Sequence, residues 1–294
     1  MVEGRTYMFT RRCSERRFFL RPDGVTNNAF WYCLGWAAET HGIVLHAAVA
    51  MSNHVHVVAT DHRGNYPNFL RDFHGLLARV VNAARGRWEH FWDASQASVV
   101  LLDDDEAQIE KLTYVLANPV GLVARASDWP GATAFPHIVR REGVVARRPE
   151  HFFRDHKQGG AMPETVTVTF KPLPAFVDST PDDYVRTVRA RVVEVERGAA
   201  EHRRALNTTV LGPDEIRQQR WSDHPDTPEP RRRLSPAVAS HDKSRRLQRL
   251  AENRLFQSLY RAAFEAFRSG AEALFPFGTW LMRFRASIQV CDTA

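Results

Sequence analysis

The chain has 294 residues, 44% hydrophobic and 25% charged, an ordinary balance for a soluble globular protein. No apolar run approaches the roughly 18–20 residues that span a bilayer, and the N-terminal stretch "MVEGRTYMFTRRCSERRFFLRP" lacks the apolar core and small-residue cleavage site of a signal peptide, so a cytoplasmic location is expected. The net charge is +6, and only four of the 40 Lys+Arg are lysine. Arginines clustered in "RRCSERR", "RRRL" and "KSRRLQR" fit phosphate and base contacts, although a high-GC genome produces the same bias with no functional meaning.

The first half reads as alternating strands and helices. "RTYMFTRRC" is an opening strand, and "TNNAFWYCLGWAAETHG" a helix with Phe30, Trp31, Leu34 and Ala38 at helical spacing. "IVLHAAVAM" and "HVHVVATD", joined by a tight "SN" turn, form a hairpin. "NFLRDFHGLLARVVNAARG" is a strongly amphipathic helix, "ASVVLLD" a short strand, and "DDDEAQIEKLTYVLANP" a helix with an acidic first turn that Pro119 ends. The order β-α-β-β-α-β-α predicts an α+β fold with a ferredoxin-like split βαβ core and an antiparallel sheet.

Beyond residue 150 the texture changes, and the expected division is a domain over 1–150 followed by a basic, mainly helical region over 151–294. It offers a strand in "VTVTFKPLPAF", a charged helix in "PDDYVRTVRARVVEVERGAAEHRRA", a proline-rich linker near 221–240, a helix over about 243–269, and an extended "FPFGTWLMRFRA". Cys13, Cys33 and Cys291 form no CxxC pair, which points away from a disulfide framework or a cysteine zinc site.

Two features carry chemistry. His54 and His56 flank Val55 in a strand, so both rings point to one face. Tyr114 and Asn118 lie four apart on one face of a helix, with Lys111 near it. Two imidazoles and an amide oxygen can hold a divalent cation with positions open for a phosphate oxygen, and a neighbouring tyrosine hydroxyl can attack phosphorus. Taken singly, each residue has a plain structural alternative. The histidines suit a hydrogen-bonded pair on a sheet, Tyr114 a half-buried aromatic, and Asn118 a helix C-cap. His46 and His74 are read as structural, and Trp88, Phe91 and Trp92 as core or loop anchors more than base-stacking groups. Arg231 to Arg233 and Arg245 to Arg249 are candidate phosphate contacts against a background of solvated surface.

The stretch "MSNHVH" in a hairpin, followed about sixty residues later by "YVLANPVGLV", resembles the HUH single-tyrosine transposases, and most closely the REP-associated tyrosine transposases. The resemblance covers roughly residues 5 to 135, including "GRWEHFW" and "DWPG". Ser52 stands where the pattern commonly has proline, and "NPVGLV" is two residues shorter between its valine and glycine. The resemblance implies metal ligation by His54 and His56, with Asn118 as a third ligand and Mg²⁺ or Mn²⁺ as the ion. It implies Tyr114 as nucleophile, cleaving hairpin-bearing single-stranded DNA through a 5′-phosphotyrosine. A monomer or homodimer, nucleoid-associated in a bacterial cytoplasm, is the accompanying expectation. Two other readings stay open: a domesticated protein that binds hairpin DNA or RNA without cutting it, and a metal-dependent phosphodiesterase that uses water. No acidic residue sits in the two motifs to serve as the base for water.

Overall fold

The computed structural model describes residues 1–151, 162–228, 236–286 and 288–292. Its centre is a five-stranded sheet. β1 (Arg5–Arg12) is followed by α1 (Gly24–His41), the hairpin β2 (Ile43–Met51) and β3 (His54–Asp61), α2 (Tyr66–Ala84), β4 (Ser98–Leu102) and α3 (Asp105–Ala117). The strand order is β2-β3-β1-β4 with antiparallel neighbours, as a ferredoxin-like split βαβ core requires.

Alternation along the strands divides the core into two layers. Tyr7, Phe9, Val55, Val57 and Leu101 face α1 and α2, where Phe30, Leu34, Phe69, Phe73 and Leu77 are fully buried. Met8, Val58, Val100 and Leu102 face α3, against Leu112, Val115 and Leu116. A bulge between Leu45 and Ala47 shifts the register of β2 on β3. A bulge flips the parity of a strand, so Ala47 joins His46 on the α3 side. There His46 bonds the Thr60 hydroxyl at 2.8 Å and the Lys171 carbonyl at 2.8 Å.

The helix ends follow local chemistry. Asp23 caps α1 by accepting from the Thr26 N–H at 2.7 Å, and Gly42, at φ 68°, closes it. Asp104 caps α3 by accepting from the Ala107 N–H at 2.8 Å. Pro119 does not stop the helical backbone at once. Asn118 keeps helical dihedrals and Pro119 enters a 3₁₀ turn over Asn118–Gly121, a position where its missing N–H costs nothing.

The chain after residue 150 packs on both layers. α4 (Phe135–Arg140) and β5 (Val144–Arg147) precede β6 (Thr165–Val168), which pairs with β5 and lays Val166 and Val168 on α1 at Gly35. α5 (Pro181–Leu206) buries Tyr184, Val188 and Val192 in the α3 layer. After α6 (Pro213–Gln218), β7 (Val238–Ala239) adds a parallel edge strand beside β4. α7 (Lys243–Arg268) then packs Tyr260 and Phe267 around Phe275 of β8 (Leu274–Phe275). The stretch expected to be extended instead contains a helix, α8 (Leu281–Arg285), before β9 (Gln289–Val290). Short strands of two residues hold too few side chains to display a period.

The start of the proline-rich stretch is tied down. Trp221 packs near Phe19 with ring centroids 6.2 Å apart, and Asp223 accepts from the Phe18 N–H at 2.8 Å. Arg231, Arg232 and Arg233 lie outside the described residues. Arg249 and Arg245 meet Asp103, at 2.8 Å and 3.5 Å, which pins α7 to the β4–α3 connection.

Candidate active site

Three elements converge where β3 begins. His54 and His56 open β3 on the face covered by α3, and the last turn of α3 carries Tyr114. The two imidazole centroids are 4.8 Å apart at 79°, and the Tyr114 ring lies 5.3 Å from His56 at 76°. Residues sixty apart in the chain thus share one cluster. Tyr114 is 47% exposed while His56 is 5% exposed, so the phenol stands at the mouth and the imidazoles form the floor.

Each ring is held by a neighbour. The Thr10 hydroxyl bonds His56 Nδ1 at 2.7 Å, across the β1–β3 pairing. His54 Nδ1 donates to Asn53 Oδ1 at 2.7 Å, and Asn118 is near enough to act on the charge of the His54 ring. These bonds engage Nδ1 of each ring, so Nε2 is the nitrogen that a cation would meet. This is the orientation that metal-ligating histidines take from a second hydrogen bond.

Electrostatics keep the rings neutral. Burial lowers His54 to about 4, with Asn118 acting the other way and the Arg12 guanidinium adding to the fall. Burial, reinforced by His54, lowers His56 to about 3. Neutral imidazole is the form that binds a cation. Among the described residues no three His, Cys, Asp or Glu side chains gather as a metal site, so a third side-chain donor beside the histidine pair would come from another residue type, and Asn118 is the amide the sequence points to. That donor set suits a hard divalent ion with open positions for phosphate oxygens.

Lys111 turns to Glu110 at 2.6 Å, and Glu110 also bonds His241 at 2.9 Å. His74 is buried, packed between the tilted rings of Phe73 and Trp92, and its carbonyl accepts from the Trp92 indole at 2.9 Å. Phe91 is buried as well, whereas Trp88 is exposed. Thr10 and Asn53 were not among the residues singled out from sequence. Asn53 lies inside the "MSNHVH" motif, but Thr10 becomes visible only through the register of β1 on β3.

The chain is similar in structure to a REP-associated tyrosine transposase solved bound to a REP hairpin. The two share 19% identity with a TM-score of 0.41, over 48% of this chain and 82% of the other. A second similar structure is a putative transposase from Deinococcus radiodurans R1, with 20% identity and a TM-score of 0.30, over 38% of this chain and 89% of that one. No family model matches the chain, and no curated protein matches it by sequence.

Proposed function

We propose that the protein is a metal-dependent single-stranded DNA endonuclease and strand transferase of the transposase type, acting on hairpin-bearing DNA. The observation that carries this reading is the exposed Tyr114 ring 5.3 Å from His56, above a pair of neutral, oriented imidazoles. His54, His56 and Asn118 would hold Mg²⁺ or Mn²⁺. The ion, when bound, offsets the negative charge that builds on the phosphate oxygens in the transition state.

In this reading Tyr114 Oη attacks the scissile phosphorus, and the bond from phosphorus to the 3′-oxygen breaks. The 3′-oxygen leaves and takes a proton, while the 5′-phosphate stays on the tyrosine. Reversal with a different 3′-hydroxyl rejoins strands. Thr10 and Asn53 act by keeping the two rings aimed, because a misplaced ligand loses the geometry on which catalysis depends.

The test is a labelled single strand containing the hairpins that flank the gene, incubated with Mn²⁺ or Mg²⁺ and resolved on a denaturing gel. A covalent adduct in the wild type, absent in Tyr114→Phe and in a His54→Ala/His56→Ala double variant, is the expected result. Tight binding with no adduct from any flanking hairpin would replace this reading with hairpin binding alone. A 5′-phosphate released without adduct would assign the attack to water.

A further inference from the structure

A second cavity, of about 380 Å³, opens behind the turn that links β1 to α1. Trp221 and Arg87 line it, with the Arg87 guanidinium 3.6 Å over the Phe19 ring and 5.6 Å from that of Trp221. Nη1 of Arg87 is shielded from water and has no acceptor among the described residues. Glu15, Arg17 and Glu89 stand in the wall. Between Arg87 and Glu89 rises Trp88, 87% exposed, on a loop whose other aromatics, Phe91 and Trp92, are anchored in the core.

The wall turn is strained and tied to the later chain. Glu15 and Arg16 are consecutive non-glycine residues at φ 53° and 57°, a left-handed conformation that must be imposed by the surroundings. Arg16 donates to the Thr227 carbonyl at 2.6 Å and Arg17 to the Ser222 carbonyl at 2.6 Å. The turn also touches the candidate active site. Asn53 Nδ2 donates to the Arg16 carbonyl at 3.2 Å, and Asn53 Oδ1 accepts from His54 at 2.7 Å.

We propose that this cavity takes one unstacked nucleobase of a single strand whose backbone runs past His54 and Tyr114. The inference rests on the DNA-cleaving reading for the direction of the strand. The contents of the wall favour a base over a bare phosphate: Arg17 is already paired with Glu15 at 2.7 Å, and Glu89 stands in the wall with Arg87. Carboxylate oxygens accept from the N–H groups of a base edge, guanidinium groups donate to its ring nitrogens and carbonyls, and indole and guanidinium faces stack on its plane.

The test measures fluorescence anisotropy in EDTA on a Tyr114→Phe background, so that binding is read without chemistry. The probes are a labelled single strand of mixed sequence and its abasic counterpart with the same sugar–phosphate backbone. Trp88→Ala and Glu89→Gln change exposed side chains, and their melting temperatures are checked against the parent. The parent is expected to prefer the base-bearing strand. Trp88→Ala changes an exposed ring between the lining residues Arg87 and Glu89 and outside the lining itself. It is expected to weaken that strand by roughly 5- to 100-fold, the range of one stacked base, here the neighbour of the base in the cavity. Glu89→Gln weakens the same strand, and neither variant changes the abasic one. Three results would overturn the proposal: unchanged binding of the base-bearing strand in both variants, an equal loss on the abasic strand, or no binding of either strand by the parent. Base-dependent loss in the variants with no adduct from the wild-type enzyme would leave the cavity assignment standing and remove the cleavage reading.

Discussion

Asp104 is where the helix that carries Tyr114 is fastened to the rest of the molecule, and its loss has a calculable cost. Its carboxylate accepts from the Ala107 N–H at 2.8 Å, the Ser240 hydroxyl at 2.5 Å, and the N–H groups of His241 at 2.7 Å and Asp242 at 3.2 Å. Those bonds outweigh desolvation, which pulls the other way, and hold Asp104 at about 2 against an ordinary 3.8. A difference of that size corresponds to about 2.4 kcal/mol at 1.36 kcal/mol per unit, and solvent screening at this partly exposed site reduces it to about 1–2. Asparagine also serves as an N-cap, so Asp104→Asn removes the charge from these bonds and leaves a capping oxygen in place. The sign follows from linkage. The folded pKa is depressed, so the contribution is complete above the unfolded value near 3.8 and disappears as pH falls through about 2. Urea unfolding of wild type and Asp104→Asn at pH 7 and pH 3 measures it. The variant is expected to be about 1–2 kcal/mol less stable at pH 7, with roughly half of the gap gone at pH 3. A gap that stays constant with pH, or one below about 0.5 kcal/mol at pH 7, would refute the assignment of these bonds to the ionised carboxylate.

Gly35→Ala sets helix propensity, worth about 1 kcal/mol in favour, against a Cβ that would meet Val166 Cγ1 at 2.5 Å and Val168 Cγ2 at 2.7 Å. Branched side chains fixed in a strand yield little, so net destabilisation of about 1–2 kcal/mol is expected on urea unfolding. His46, lowered to about 4 by burial, is neutral when folded and charges on unfolding. Its contribution is whole above about 6.5 and lost as pH falls through about 4, so the pH dependence of stability in that window should flatten in His46→Gln. Tyr114→Phe removes an exposed hydroxyl and should shift stability by less than about 0.5 kcal/mol, which makes its loss of adduct a statement about chemistry.

The core of the fold was legible because its elements are long enough to show a period. Phe69, Phe73, Leu77 and Val80 repeat at helical spacing, and His54 and His56 alternate within a hairpin whose turn is visible. β5, β7 and α4 escaped because they hold between two and six residues and are formed by what they meet: β7 exists through its pairing with Leu101 and Leu102. Arg245 and Arg249 show how far composition reaches. A run of arginines reads as a phosphate contact, yet these two face Asp103, more than 140 positions earlier in the chain. No local pattern encodes that partner.

The candidate site divides in the same way. Each half is written locally, the histidine pair by a two-residue period and Tyr114 with Asn118 by a four-residue one, but the distance between the halves is not. It is set by where α3 begins and how it lies on the sheet. Tyr114 stands ten residues beyond the Asp104 cap, a rise of about 15 Å along the helix axis. Leu112, Val115 and Leu116 press that helix onto the face that holds His56. Ser240 and His241 bind its N-cap, Asp104, and Arg245 and Arg249 bind Asp103 just before it, all from late in the chain. The region of the sequence with the fewest motifs therefore fixes the start of the helix on which the nucleophile depends. A change at Ser240 should accordingly reach the Tyr114 site through the position of α3, with no contact to the reacting atoms.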